Sequence, residues 1–143
     1  MDDISEHVSQ HGGAILAIDY GYAGPAAGDT LQAIKNHGYV DILETAGSAD
    51  LTAHVDFTPL ASAARKNQLH CHGPIEQGDF LLSLGLLERA GQLGHGKPPR
   101  VQDELRAAVQ RLAGPDQMGS LFKVLAATST GVEAAGFTRT EGQ

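Results

Sequence analysis

Gly12-Gly13-Ala14-Ile15-Leu16-Ala17-Ile18-Asp19 is the stretch whose reading decides the fold. Its five apolar residues are too few for a core helix, and glycines on one side and a carboxylate on the other bound them. Such a run reads as a strand buried on both faces, the kind found in sheets covered by helices. Upstream, Ile4 and Val8 stand at helical spacing in residues 2–10, and His11-Gly12-Gly13 supplies the stop expected after a last turn. Downstream comes Asp19-Tyr20-Gly21-Tyr22. In an open α/β sheet, ligands gather outside the carboxyl ends of strands. Asp19 occupies that position, so Asp19 to Gly21 is expected to form one wall of a cleft.

The opposite wall is expected from Asp50-Leu51-Thr52-Ala53-His54-Val55-Asp56-Phe57, which holds two carboxylates, a hydroxyl and an imidazole within eight residues. It runs into Thr58-Pro59, a helix start in which Thr58 caps and Pro59 fits the first position. Asp56 becomes the cap if the helix begins one residue earlier. The bland alternative is that Asp19, His54 and Asp56 only pin turns and loops through backbone hydrogen bonds.

The remaining chain alternates. A short helix is expected through Leu31, Ile34 and His37, capped by Asp29 or Thr30, and residues 39–50 read as a long surface loop hinged at Gly47. Thr58–Asn67 reads as a helix and Gln68–His72 as a strand. One long helix is expected from Asp79 through Phe80, Leu81, Leu84 and Leu87, and another along Val101, Leu105, Val109 and Leu112. Leu121–Ala126 reads as a last strand, and residues 129–143 as a disordered polar tail. The alternation predicts an α/β fold with a mixed sheet flanked by helices. Three strands alone would leave an exposed edge, so the chain reads as part of a larger sheet.

Composition narrows the function. The 143 residues suffice for one domain, with 41% hydrophobic and 5% aromatic content and no Trp. A net charge of −7, with no basic run longer than Arg65-Lys66, disfavours nucleic-acid binding. There is no apolar run of the length a membrane span needs, and Met1-Asp2-Asp3-Ile4 lacks a secretory pattern. A single cysteine, Cys71, fits a reducing compartment.

Sharper motifs fail on spacing. Gly21, Gly24 and Gly28 match neither dinucleotide-binding nor Walker patterns, and Pro25 removes an amide donor. His70-Cys71-His72 with His54 and Asp56 could suggest zinc, but in a strand His70 and His72 share one face and Cys71 the other, so only the two histidines could share an ion and its remaining ligands would have to come from elsewhere. Cys71 there reads as a small buried hydrophobe.

Several ordered motifs nevertheless form a pattern. They are Gly12-Gly13 through Asp19-Tyr20-Gly21-Tyr22; Gly28-Asp29-Thr30-Leu31 and His37; Asp50 to Phe57; Gln77-Gly78-Asp79-Phe80-Leu81 with Leu84-Gly85; and Met118-Gly119 through Leu121-Phe122-Lys123-Val124. Over residues 1–128 the chain resembles the C-terminal part of the MidA-like methyltransferases. The resemblance implies a Rossmann-like class I fold that begins near its fifth strand, with the first strands missing. It implies S-adenosylmethionine as cofactor, although the glycine-rich donor loop and ribose-binding acid of the family lie upstream of anything in this sequence.

The implied activity is methyl transfer to a protein arginine, with a respiratory complex I subunit as the eukaryotic partner. The location would be the cytoplasm in a bacterium and the mitochondrial matrix in a eukaryote; a homo-oligomer is allowed. Within that picture Asp19, His54 and Asp56 are the candidate catalytic residues. Tyr20, Gly21, Thr30, Thr52 and Gln77 are the candidate substrate-binding residues, with no metal and no assignable cofactor-binding residue. The alternative is a non-catalytic interaction module or inactive remnant.

Overall fold

The spacing of Ile4 and Val8 produces α1, Asp2–His11, which ends at Gly12 with its N–H on the Val8 carbonyl. The structure is a computed structural model of the chain, described over residues 1–24, 28–36, 38–44 and 47–137. Two glycines then turn the chain into β1, Ala14–Tyr22, four residues longer than its apolar run predicts. An excursion follows, made of β2 (Gln32–Lys35), β3 (Gly38–Val40) and β4 (Asp50–Thr52). The chain rejoins the main sheet at β5, Val55–Asp56, and passes directly into α2, Phe57–Lys66.

Beyond it come β6 (His70–Glu76), α3 (Gln77–Ser83), α4 (Leu86–Gly94), α5 (Pro99–Ala113), α6 (Met118–Leu121) and β7 (Phe122–Thr128).

The main sheet has the order β5-β1-β7-β6 and is mixed. β5 runs parallel to β1, whereas β7 pairs antiparallel with both β1 and β6. The β6 register slips between His72 and Ile75, around Gly73-Pro74. Alternation along β1 sends Ile15 and Ala17 to the face that α1 and α2 cover. There Val8, Ala64, Leu69 and Ala127 form one cluster, and Phe57, Ala61 and Leu125 another. Phe57 is the largest fully buried side chain, which makes it the wedge between α2 and the sheet. On the other side of the molecule Phe137 lies against both Phe80 and His72, with ring centroids 5.2 and 5.8 Å away.

The mixed α/β architecture follows the sequence, and four local expectations do not. First, β1 is not buried on both faces: Leu16 and Ile18 are 54% and 44% exposed. No described layer crosses them. Among the described residues, β1 also lacks a strand partner on its outer edge before Gly21.

Second, Asp19 does not end its strand, because pairing with β7 and then β5 carries β1 on to Tyr22. Third, the helix expected through Leu31 and Ile34 is a hairpin. Its β2 pairs with β3 on one side and β4 on the other, and ladder bonds to a distant segment override the local apolar spacing. His37 lies outside the described residues. Fourth, the long helix after Asp79 is two. Gly85, at φ +87, breaks it between α3 and α4, and Glu76 rather than Asp79 holds the N-cap position.

Candidate functional site

β1 and β7 pair so that Tyr20 stands beside Phe122 on one face and Asp19 beside Lys123 on the other. Two polar groups therefore flank the end of the same strand.

The first gathers around Tyr20. Its hydroxyl hydrogen-bonds the Thr52 hydroxyl of β4. Its ring meets Phe122 and His54 edge-on, with centroids 5.6 and 5.7 Å away. The His54 backbone N–H donates to Thr30 Oγ1 at 3.2 Å, which ties the returning chain to the start of the excursion. Gly21 makes the convergence possible: a Cβ there would stand 2.1 Å from the Val55 carbonyl oxygen, so only glycine lets β5 approach. Tyr20, Gly21, Thr30, Thr52 and His54 thus meet where β1 ends and β5 begins.

The second group lies across the sheet. Asp19 turns Oδ1 back to accept its neighbour Tyr20's N–H at 2.8 Å. Lys123, with a side chain only 14% exposed, donates to the Ser120 carbonyl and sits 3.6 Å from Glu76. Ser120 Oγ in turn donates to Glu76 Oε2 at 2.9 Å. Sequence reasoning missed Phe122, Lys123, Glu76 and Ser120. One signal was available, a lysine inside the apolar run Phe122 to Ala127.

Two candidates stand apart from both groups. Asp56 accepts the Thr58 N–H at 2.8 Å, which makes it the cap of α2. Gln77 is buried, and its Nε2 donates 2.8 Å to the Leu112 carbonyl, locking α3 to the end of α5. His72 Nε2 pairs with Thr128 Oγ1 at 3.1 Å. Among the described residues no group of three or more His, Cys, Asp or Glu is gathered to hold a metal ion. Cys71 packs beside Phe57, Ala61 and Leu125, and burial pushes its thiol above the ordinary value of 9.0, with Arg65 pulling the other way.

Chemically, the Tyr20 group offers aromatic rings, three hydroxyls and an imidazole. That set suits a planar cation, which stacks on π-faces and donates hydrogen bonds. Gly21 is filled by β5, so no ligand approaches the backbone at that position.

A mixed sheet flanked by helices, with polar residues collected at a strand end, belongs to the class I methyltransferase type of α/β fold. Two solved Burkholderia thailandensis proteins of one superfamily have that arrangement. One matches with a TM-score of 0.82 and 28% identity over 96% of this chain and 39% of its own. The other, bound to S-adenosyl-homocysteine, matches with a TM-score of 0.74 and 26% identity over 94% of this chain and 37% of its own. The family of S-adenosyl-L-methionine-dependent methyltransferases matches residues 1–75, and the chain belongs to it.

Among curated relatives, the mitochondrial protein arginine methyltransferase NDUFAF7 homolog of Drosophila melanogaster is 40% identical over 124 residues, 86% of this chain and 28% of the relative. The Danio rerio protein of that name is 35% identical over 130 residues, 91% of this chain and 30% of the relative. The chain therefore spans less than a third of the length of these relatives. Among the described residues no helix is long and apolar enough to cross a membrane.

Proposed function

We propose that this chain supplies the substrate-facing portion of an S-adenosylmethionine-dependent protein arginine methyltransferase, and that the donor loop belongs to sequence beyond these 143 residues. The observation that carries the reading is the Tyr20–Thr52–His54 group at the end of β1. The β1 edge before Gly21, which has no strand partner among the described residues, and the exposed Leu16 and Ile18 beside it add support, since a larger sheet would cover both.

An arginine side chain stays protonated at any physiological pH, so the protein must hold and orient it rather than deprotonate it at rest. In this reading Tyr20 and His54 offer ring surfaces to the guanidinium, and Thr30 and Thr52 fix the loop that carries His54. His54 provides the proton-accepting group within this set, while Asp19, across the sheet, and Asp56, at the α2 cap, supply negative charge from outside it. Asp56 spends Oδ1 on the cap, which leaves Oδ2 for a cation. Gly21 shapes the wall by admitting β5, and Gln77 braces the helices behind it. The substrate is a protein, in a eukaryote a complex I subunit in the mitochondrial matrix, and in a bacterium a cytoplasmic protein. In this reading the 143-residue chain on its own is an interaction module.

The test is a chimera in which this chain replaces the matching part of the Burkholderia protein that binds S-adenosyl-homocysteine. It should transfer a tritiated methyl group to an arginine-bearing protein. Asp56→Ala should cut turnover at least about tenfold while donor affinity stays within about twofold. A folded chimera that binds donor yet methylates no arginine would overturn the assignment. The 143-residue chain should give no heat on titration with S-adenosylmethionine.

A further inference from the structure

The excursion between β1 and β5 has a surface that the reaction chemistry does not use. Its sheet has the order β3-β2-β4, so β4 is an edge strand with one side paired to β2 and the other without a strand partner among the described residues. Three large apolar side chains of the excursion stand in the open, Leu43 88% exposed, Tyr39 78% and Leu51 61%, and of these Leu51 lies on β4 itself, Tyr39 being on β3 and the other face. An edge strand, even one of three residues, presents backbone N–H and C=O groups to which another strand can add.

Charge says what kind of strand. From Asp19 to Asp56 the chain carries six carboxylates against one ammonium, Lys35, a formal −5 out of a total of −7. Over that span there is no arginine at all. β4 also leads somewhere: Thr52 ends it on the Tyr20 hydroxyl, and His54 lies two residues on. At about 3.3 Å per residue, a segment lying along β4 reaches the Tyr20–His54 group within a few residues.

We infer that the free edge of β4 takes up an extended, basic segment of the partner protein by strand addition, and that this register delivers an arginine to Tyr20 and His54. Main-chain hydrogen bonds would give the grip, Leu51 an apolar contact and the acidic excursion the preference for a basic segment. The inference rests on the proposed substrate class but not on catalysis. Binding without methyl transfer would leave it standing while the activity assignment fell.

The probe is a fluorescein-labelled peptide of alternating valine and arginine, titrated into the 143-residue protein by anisotropy. Two further peptides carry N-methyl groups on alternate backbone nitrogens, one set offset from the other by one residue. Strand addition uses only every second N–H, so one methylated set should bind at least about tenfold more weakly and the other about as well as the parent. Asp50→Lys should weaken the parent peptide about threefold or more, whereas Asp79→Lys on α3 should leave it unchanged. Equal effects of the two methylated sets would reduce the interaction to bulk electrostatics and overturn the inference. So would an absence of binding.

Discussion

Gly21 shows how much of this molecule hangs on the absence of one methyl group. β5 is only two residues long, and its pairing with β1 begins at Gly21 opposite Val55. A methyl at Gly21 meets backbone, which cannot rotate away. Gly21→Ala is expected to push β5 off the sheet at a cost of about 1–3 kcal/mol, seen as a lower urea midpoint. It should also loosen His54, whose position depends on the same turn; an unchanged midpoint and unchanged His54 imidazole NMR signals would show that β5 tolerates the methyl.

Cys71 makes a second expectation at this scale. Its folded thiol holds its proton more tightly than an unfolded one, because burial disfavours the thiolate. Below pH 9 both states are protonated and the advantage is fully present. As pH rises past the ordinary value of 9.0, the unfolded chain ionises first, and stability drains away up to the folded thiol's own higher value. The urea midpoint should therefore fall as pH rises past 9.0, and Cys71→Ala should flatten that part of the fall. Iodoacetamide should also alkylate native Cys71 more slowly than the urea-unfolded protein.

Among the elements, those legible in the sequence are the ones stabilised locally. α1, α2 and α5 each show apolar residues at helical spacing with a glycine or a capping side chain at an end, and each forms within a residue or two of its expected bounds. β7 likewise announces itself as an apolar run, whereas β6, expected over Gln68–His72, runs on through Gly73-Pro74 to Glu76 because β7 takes up pairing again beyond the slip in register. What could not be read depends on partners far along the chain. β2 exists because Asp50–Thr52 comes back to pair with it, and Leu31 with Ile34 imitates a helix until that happens. Gly85 was visible, but a glycine within a helical pattern usually costs stability without breaking it.

The candidate site divides the same way. Tyr20, Thr52 and His54 could be named from sequence because they fall in polar runs flanking apolar ones. Lys123 and Glu76 could not be joined, since only the β6–β7 pairing sets them side by side. α2 depends on one wedge more than on its cap: Phe57→Ala should cost about 3–5 kcal/mol by the urea midpoint, against about 1 kcal/mol for removing a capping side chain. A loss below about 1.5 kcal/mol would mean that the cluster around Ala61 and Leu125 closes over the space.

For the whole molecule, the telling feature is the uncovered side of β1. A nonpolar strand with one bare face and an open edge is a liability in water. The 143-residue chain should scatter light increasingly with concentration, and the pair Leu16→Glu with Ile18→Glu should suppress that while leaving the far-ultraviolet circular dichroism intact. Persistent association in that variant would point to the Leu43 and Tyr39 region instead.

The excursion that bears those residues leaves the main sheet at Tyr22 and re-enters at Val55, on neighbouring strands in register. Its entry and exit are side by side, and the scaffold meets what lies between them at Tyr20, through Thr52 and His54. A protein arranged this way can lengthen or rewrite much of those some thirty residues while the hydrophobic interior keeps the same packing. On the proposed reading, splicing at that junction changes selectivity for clients so long as the Tyr20 contacts are carried along.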